Sequence, residues 1–388
     1  MRSGAILTVN AGSSSIKFSV YAAGDEPEER LRGQVDRIGD SDAVLAIERQ
    51  DGSQKRFQIG HADHRAGMAA ILAHAGHALD GEAVVGVGHR VVHGGANFNA
   101  PVVLTDGIID RLAELESLAP LHQPHNLAGV RAARSAFPDA IQIACFDTAF
   151  HRTHPWVNDT FALPREWYER GVRRYGFHGL SYEFISGEIA RIAPDLRHGR
   201  VVIAHLGNGA SMCAVRDGKS VASTMGFSPL DGLPMGTRCG QLDPGVLLYM
   251  MDHEKMSPAE ISDLLYRESG LKGLSGISHD MRTLEQSDAP EAREAIDYFV
   301  FRIRRELGAL SAALGGLDAL VFAGGIGENS ALVRGRVCEG MDWLGIAIDD
   351  EANAKNIREL GAGRVRVMVV PTDEERVIAR AVNAALDD

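Results

Sequence analysis

Along this chain, apolar runs bounded by Gly or Asp alternate with segments whose apolar residues recur at helical spacing. Runs of Val, Ile and Ala predict buried strands over residues 5–9, 16–21, 84–92, 141–145, 201–204, 212–216, 319–323 and 365–370. Helical spacing predicts helices over 65–78, 107–117, 126–136, 181–192, 258–267, 290–314 and 374–386. In the longest of these, Ala295, Phe299, Ile303 and Leu307 share one face. The mixture reads as α/β. Residues 151–174 carry Pro155 and Pro164 with little periodicity, which makes them the best domain boundary. Residues 224–243 form a long Gly- and Pro-containing loop, and loops of that length in compact domains are usually functional.

The pattern also repeats weakly. LTVNAGSSS (7–15) and AHLGNGAS (204–211) each carry a strand into a polar tip and then a second strand. VGHRVVHGG (87–95) and VFAGGIGE (321–328) are each an apolar strand that runs into Gly-Gly. The echo suggests a duplicated domain with a cleft between the copies. Glycine-rich turns after strands also arise by chance.

Composition narrows the function. At 388 residues, 45% of them hydrophobic, the chain is long enough for two domains. A formal net charge of −12 argues against nucleic acid or an anionic membrane as partner. Small anions remain possible ligands, because Lys17, Arg90 and Arg238 lie in glycine-rich segments. The four cysteines (145, 213, 239, 338) form no Cys-x-x-Cys pair, so the expectation is reduced thiols in a cytoplasmic protein. The apolar run 5–9 is too short for a signal-peptide core, and no run approaches the ~20 residues of a membrane span.

Phosphate chemistry is suggested first by residues 201–240. A strand empties into His205-Leu206-Gly207-Asn208-Gly209-Ala210-Ser211, where glycines let backbone N–H groups approach an anion and Asn208 and Ser211 add donors. Arg238 follows in a Gly-flanked loop, as phosphoryl transfer requires of a cation. Residues 10–17 (NAGSSSIK) follow the first strand and fit neither a Walker A motif nor a dinucleotide fingerprint. They read as a phosphate-facing hairpin or as an exposed serine turn. Gly324-Gly325-Ile326-Gly327-Glu328-Asn329 follows a strand and opens a helix, a setting that suits phosphate.

Histidines 89, 93, 122, 125, 151, 178 and 205 sit in or beside turns. His89 and His93 have metal-ligand spacing, but on a strand they would lie ~13 Å apart. They are therefore donors to anions or satisfied structural histidines. Asp147 follows a strand, where a carboxylate points at the ligand crevice of an α/β sheet. It reads as a Mg²⁺ ligand, a base or a helix N-cap. Asp373 or Glu374 reads as a second metal-side carboxylate or, the preferred reading, as the cap and first turn of the last helix.

These segments together resemble the acetokinase family: 10–17, 88–95 (GHRVVHGG), 121–126 (LHQPHN), 146–151 (FDTAFH), 174–179 (RYGFHG), 205–211, 235–245, 324–329 and 371–375, in that family's order along nearly the whole chain. The resemblance implies a duplicated two-domain α/β fold of the actin, sugar-kinase and Hsp70 type (ribonuclease H-like), with ATP and Mg²⁺ between the domains. It implies a first domain of residues 1–150 completed by a C-terminal helix at about 374–388. Residues 151–373 would then form a nucleotide-binding domain that joins a homodimer. It further implies that Asn10 and Glu374 are on the Mg²⁺ side, that Arg90 binds the substrate carboxylate and that Asp147 is the catalytic aspartate. His178 and Arg238 would stabilise the transition state. Lys17, His205, Leu206, Gly207, Asn208, Gly209, Asp280, Met281, Arg282, Gly324, Gly325, Ile326, Gly327, Glu328 and Asn329 would bind the nucleotide. Val92, Leu121, Phe177 and Pro229 would form an apolar pocket for the acyl methyl.

Three segments depart from the family pattern. Gln123 stands for Asn, Leu180-Ser181-Tyr182 for Thr-Ser-His, and Gln241 for an acid. The implied reaction is reversible in-line phosphoryl transfer from ATP to acetate, giving acetyl phosphate and ADP. It suits a carboxylate acceptor, which is ionised at pH 7 and needs no strong base. Propionate is the alternative acceptor, a sugar or polyol a more distant one, and a nucleotide-dependent sensor without transferase activity the last.

Overall fold

A computed structural model describes residues 4–12, 14–24, 26–75, 82–120 and 122–387. The chain divides into two units, Met1–Phe150 with Asp373–Asp388, and His151–Thr372.

In the first unit, β1 (Ala5–Ala11) and β2 (Ser15–Ala22) pair antiparallel without a register break, from Ala5 opposite Ala22 to Ala11 opposite Ile16. The hairpin continues through β3 (Glu28–Asp36), β4 (Ala43–Arg49) and β5 (Gln54–Gly60). On the other side of β1 lie β6 (Val84–Val91) and β8 (Ile141–Phe146), both parallel to it. The short β7 (Val102–Val103) closes the edge antiparallel to β8. Strands β3 to β5 escape a search for continuous apolar runs. β3 and β4 bury only spaced residues, such as Leu31, Val35, Leu45 and Ile47, and β5 buries none.

Two helices cover opposite faces of this sheet, and the two-residue period of β6 shows which covers which. Val87 joins the core cluster with Ala132 and Ala133 of the helix Gln123–Ala136. Gly86 and Gly88 point the other way, where a Cβ would fall 2.3 Å from Val382 and 2.3 Å from Ile378 of the helix Glu374–Asp387. The alternating glycines are what let that last helix lie against the strand.

In the second unit, β9 (Arg200–Leu206), β10 (Ala210–Arg216) and β11 (Lys219–Ser223) form an antiparallel meander. β12 (Ala319–Ala323) and β13 (Arg366–Val369) extend it in parallel. The order β11-β10-β9-β12-β13 repeats β3-β2-β1-β6-β8 of the first sheet, sense for sense. The sequence echo thus falls on equivalent strands, β1 with β9 and β6 with β12, and the fold is a duplicated α/β fold. The helix Pro290–Leu314 buries Ala295, Phe299, Ile303 and Leu307, starts on Pro290 and ends at Gly315 with φ 71°.

Other expectations are corrected at their edges. The helix expected over 65–78 is His64–Ala75, and residues 76–81 lie outside those described. The one expected over 107–117 is an α-helix, Asp106–Ala113, followed by a 3₁₀ turn, Glu114–Leu118. Helices at Pro244–Asp252 and Ala331–Cys338 were not expected. No helix among the described residues is long and apolar enough to cross a membrane.

Candidate active site

In the first unit, strand parity and the last helix assemble a charged cluster. Arg90 lies on the same face of β6 as Gly86 and Gly88, so it points toward the helix that those glycines admit. Asp147 follows β8, in register beside it. Arg90 grips Asp147 as a fork, Nε to Oδ1 at 2.8 Å and Nη2 to Oδ2 at 2.7 Å. Glu374 Oε2 lies 3.7 Å from Arg90 Nε. Asp373 accepts from the N–H of Arg376 and caps the helix, which leaves Glu374 in its first turn.

Asp147 is 2% exposed, so its charge depends on that fork. It is neither a helix cap nor an unengaged base. Burial opposes the charge on Arg90, but Asp147 and Glu374 together hold its pKa above the ordinary value. Burial pushes the Glu374 carboxyl up, against the pull of Arg90 and Lys17. Lys17 sits on β2 opposite Asn10 of β1, in the unit that does not carry the other expected nucleotide residues.

Arg90 retains an edge. The fork uses Nε–H and one Nη2–H, so the Nη1 and outer Nη2 hydrogens form a second edge with no partner among the described residues. Nearby, Asn126 donates to Ala11 O at 2.7 Å and accepts from Val92 N–H at 3.0 Å, tying β1 to the end of β6. Gln123, fully buried, donates to the carbonyls of His93 and Leu112 and accepts from His93 N–H. The departure at this position is a backbone clasp. Val92 is buried, and Leu121 lies outside the described residues.

Histidines 89 and 93 do not form a metal pair. β6 ends at Val91, and both rings are buried. Gln142 donates its amide N–H groups to Phe137 O and Ala140 O, so its carbonyl accepts from His89 Nε2–H at 2.8 Å. Burial lowers the pKa of His89 to about 4, which keeps it neutral. His151 is likewise a buried structural histidine, between Ser220 and the carbonyl of Phe177.

In the second unit, three glycine-bearing segments converge. A Cβ on Gly324, which has φ 74°, would fall 2.7 Å from Leu206 O. One on Gly236 would meet the Asn208 side chain and lie 3.2 Å from His279 O, the residue before Asp280. One on Gly209 would sit 3.1 Å from Arg238 Nη2 and 3.2 Å from His178 Nε2. Arg238 and His178 therefore meet over the bare backbone of Gly209. Arg238 is steadied by Nη1 donating to Pro229 O at 2.8 Å. His178 is held at φ 58°, a left-handed backbone unusual outside glycine, at the start of the helix Gly179–Ile192.

Some of these residues also make structural contacts within the unit. Ser211 is fully buried, and its hydroxyl contacts His178 Nδ1 at 2.8 Å and Tyr182 OH at 2.5 Å rather than facing an anion. In the helix Gly324–Asn329, the first N–H is already taken. Glu328 accepts from Gly324 N–H at 2.9 Å and Thr372 N–H at 3.2 Å, as an internal brace. Arg334, fully buried, donates to Gly327 O and Glu328 O, which sequence reasoning missed. Asp280 caps the helix Met281–Glu285, and its fork with Arg282 holds its carboxyl down at about 2. Phe177 is buried in this unit with Pro229.

Comparison with known proteins places these residues in a family. An acetate kinase of Methylocella silvestris is 56% identical over 398 aligned positions, covering 98% of this chain and 98% of that protein. The crystal structure of Porphyromonas gingivalis acetate kinase superposes with a TM-score of 0.89 at 36% identity, covering 99% of this chain and 100% of that one. That of a propionate kinase from Francisella tularensis superposes at 0.92 with 33% identity, covering 97% and 98%. The model of the acetokinase family matches residues 5–380, and the chain belongs to that family.

Proposed function

We propose that this protein is a cytoplasmic ATP:acetate phosphotransferase, which reversibly moves the γ-phosphoryl of ATP to acetate by direct in-line transfer. The observation that carries this reading is the Arg90–Asp147 fork. It leaves an arginine edge for a second carboxylate and removes the base that a hydroxyl acceptor would need. Arg90 orients the acceptor, while Asp147 fixes the guanidinium. His178 and Arg238 donate to the oxygens of the transferred group. The segments around Leu206–Gly209, Asp280–Arg282 and Gly324–Asn329 receive the nucleotide.

The donor set suits Mg²⁺. Asn10 supplies an amide oxygen and Glu374 a partly buried carboxylate, a hard-oxygen pair. Mg²⁺ in kinases typically takes one or two protein oxygens and completes its shell with phosphate and water. When bound, it would draw charge off the phosphate oxygens.

The test is carboxylate-dependent ADP formation, with hydroxylamine trapping of the acyl phosphate, across acetate, propionate and butyrate. Acetate is expected to have the highest kcat/KM. One methylene is worth ~1–3 kcal/mol, so propionate should lag by about 10- to 200-fold. A preference for propionate would make this a propionate kinase, and turnover of polyols that depends on Asp147 would overturn the reading.

Glu374→Gln should separate activity from stability. A carboxyl whose folded pKa lies above its unfolded value favours folding when protonated. That contribution is lost as pH rises through the folded pKa. In Mg²⁺-free buffer the variant should therefore melt higher than the parent at pH 8, and the gain should shrink toward pH 4.5. Its kcat/KM for MgATP should fall about 100-fold or more. An equal difference in Tm at both pH values would refute the account.

We further propose that the second unit joins a homodimer. The helix Pro244–Asp252 buries none of its residues, and Leu248 is 62% exposed. Phe301 on the long helix is 60% exposed. Arg302 and Arg305 both donate to Gln241, which sets the start of the first helix beside the second. Isolated apolar side chains are common on surfaces, but a helix apolar all round is normally covered. Light scattering should give a dimer for the parent and a monomer for Leu248→Asp/Phe301→Asp; a dimeric variant would place the interface elsewhere.

A further inference from the structure

Two hydroxyl relays end on the histidines of the second unit. Tyr182 OH lies 2.5 Å from Ser211 Oγ, which lies 2.8 Å from His178 Nδ1. Thr372 Oγ1 donates to Ser181 Oγ at 2.8 Å, and Ser181 Oγ lies 2.8 Å from His205 Nδ1. The imidazoles of His178 and His205 stack, with centroids 4.4 Å apart and planes at 29°. Tyr182, Ser181 and Ser211 are fully buried.

We propose that Tyr182 and Ser211, with Thr372 and Ser181 as their counterpart, are positioning residues that hold His178 and His205 as neutral imidazoles protonated on Nε2. The inference rests on the reading that places His178 at the transferred phosphoryl group. A neutral phenol is a stronger donor than an aliphatic hydroxyl, so Tyr182 donates to Ser211 Oγ. The Ser211 proton then points at His178 Nδ1, and the ring proton sits on Nε2. That is the nitrogen over Gly209 beside Arg238. Thr372 sets the same order for Ser181 and His205.

Two of the groups beside His178 favour this state. Arg238 brings a positive charge to its Nε2 side and His205 stacks on its face, so a second charged ring there would meet like charge. Tyr182 also stands where the family pattern has a histidine.

The test combines ring-nitrogen NMR with kinetics on the full-length enzyme. In ¹⁵N-labelled protein, with His178→Asn identifying the signals, His178 should show an unprotonated Nδ1 and a protonated Nε2. Tyr182→Phe keeps the buried ring and removes only the hydroxyl. It should mix the two tautomers and lower kcat about 10- to 100-fold, the range typical of groups that orient a functional histidine. KM for acetate and MgATP should stay within about twofold, since the loss lies in the transition state. Ser211→Ala should match it, and the double variant should be no worse than Ser211→Ala, because both cut one relay. A protonated Nδ1 in the parent, or parental kcat in Tyr182→Phe, would overturn the proposal. If His178→Asn itself keeps parental kcat, the placement of His178 at the phosphoryl group falls, while the tautomer result still decides the relay.

Discussion

Arg238→Ala is expected to lower kcat by about 10³-fold or more while leaving the fold and the KM for ATP nearly unchanged. A loss of that size is about 4 kcal/mol of transition-state stabilisation. The guanidinium reaches the bare backbone of Gly209, within 3.1 Å of where a Cβ would stand, alongside His178 Nε2. Its Nη1 donates to the carbonyl of Pro229, on a partly exposed loop. The guanidinium is partly exposed, so truncation is expected to cost the transition state far more than the fold. Arg238→Lys should rescue only weakly, because an ammonium cannot reproduce the planar fork. The measurements are kcat and KM from ADP formation, with Tm as the control for folding. A fall in kcat of less than about tenfold in a folded variant would remove Arg238 from the chemistry.

Arg90→Ala should fail in two separable ways. It removes the acceptor's cation, and it leaves Asp147, 2% exposed, as an unpaired buried carboxylate beside Glu374. Breaking such a pair from one side costs about 3–5 kcal/mol. Denaturant unfolding should show that loss, and acyl phosphate formation should vanish with it. Arg90→Ala/Asp147→Asn removes the stranded charge and should recover most of the stability without recovering activity. Recovery of turnover in the double variant would show that Arg90 is not the acceptor's ligand. Full stability in Arg90→Ala would show that Asp147 does not depend on it.

Much of this was legible along the chain. The buried strands stand out as apolar runs because parallel strands are covered on both faces. The glycine-bearing turns stand out because a Cβ would be crowded at Gly236 and Gly324. Strands β3 to β5 were less legible, since a half-solvated strand shows its apolar residues only at every second position. Gly86 and Gly88 held an unread signal, for alternating glycines on a strand announce a close neighbour. The role of Ser211 was misjudged because a polar side chain in a phosphate-type turn can face a ligand or brace the turn, and composition does not separate the two.

Local patterning by itself determined the α/β class and hinted at the duplication, while motif order carried the resemblance to the family and the residue types expected to handle phosphate and carboxylate. These depend on periodicity, glycine placement and motif order, all of which are written in neighbouring residues. Only the tertiary structure decided that Arg90 is forked to Asp147 with one edge to spare, and that Glu374 turns from the last helix toward that arginine. It also decided that Tyr182 stands behind His178 through Ser211. Each of these joins groups far apart in the chain, and their charge and proton positions follow from burial and distance, which no local pattern encodes.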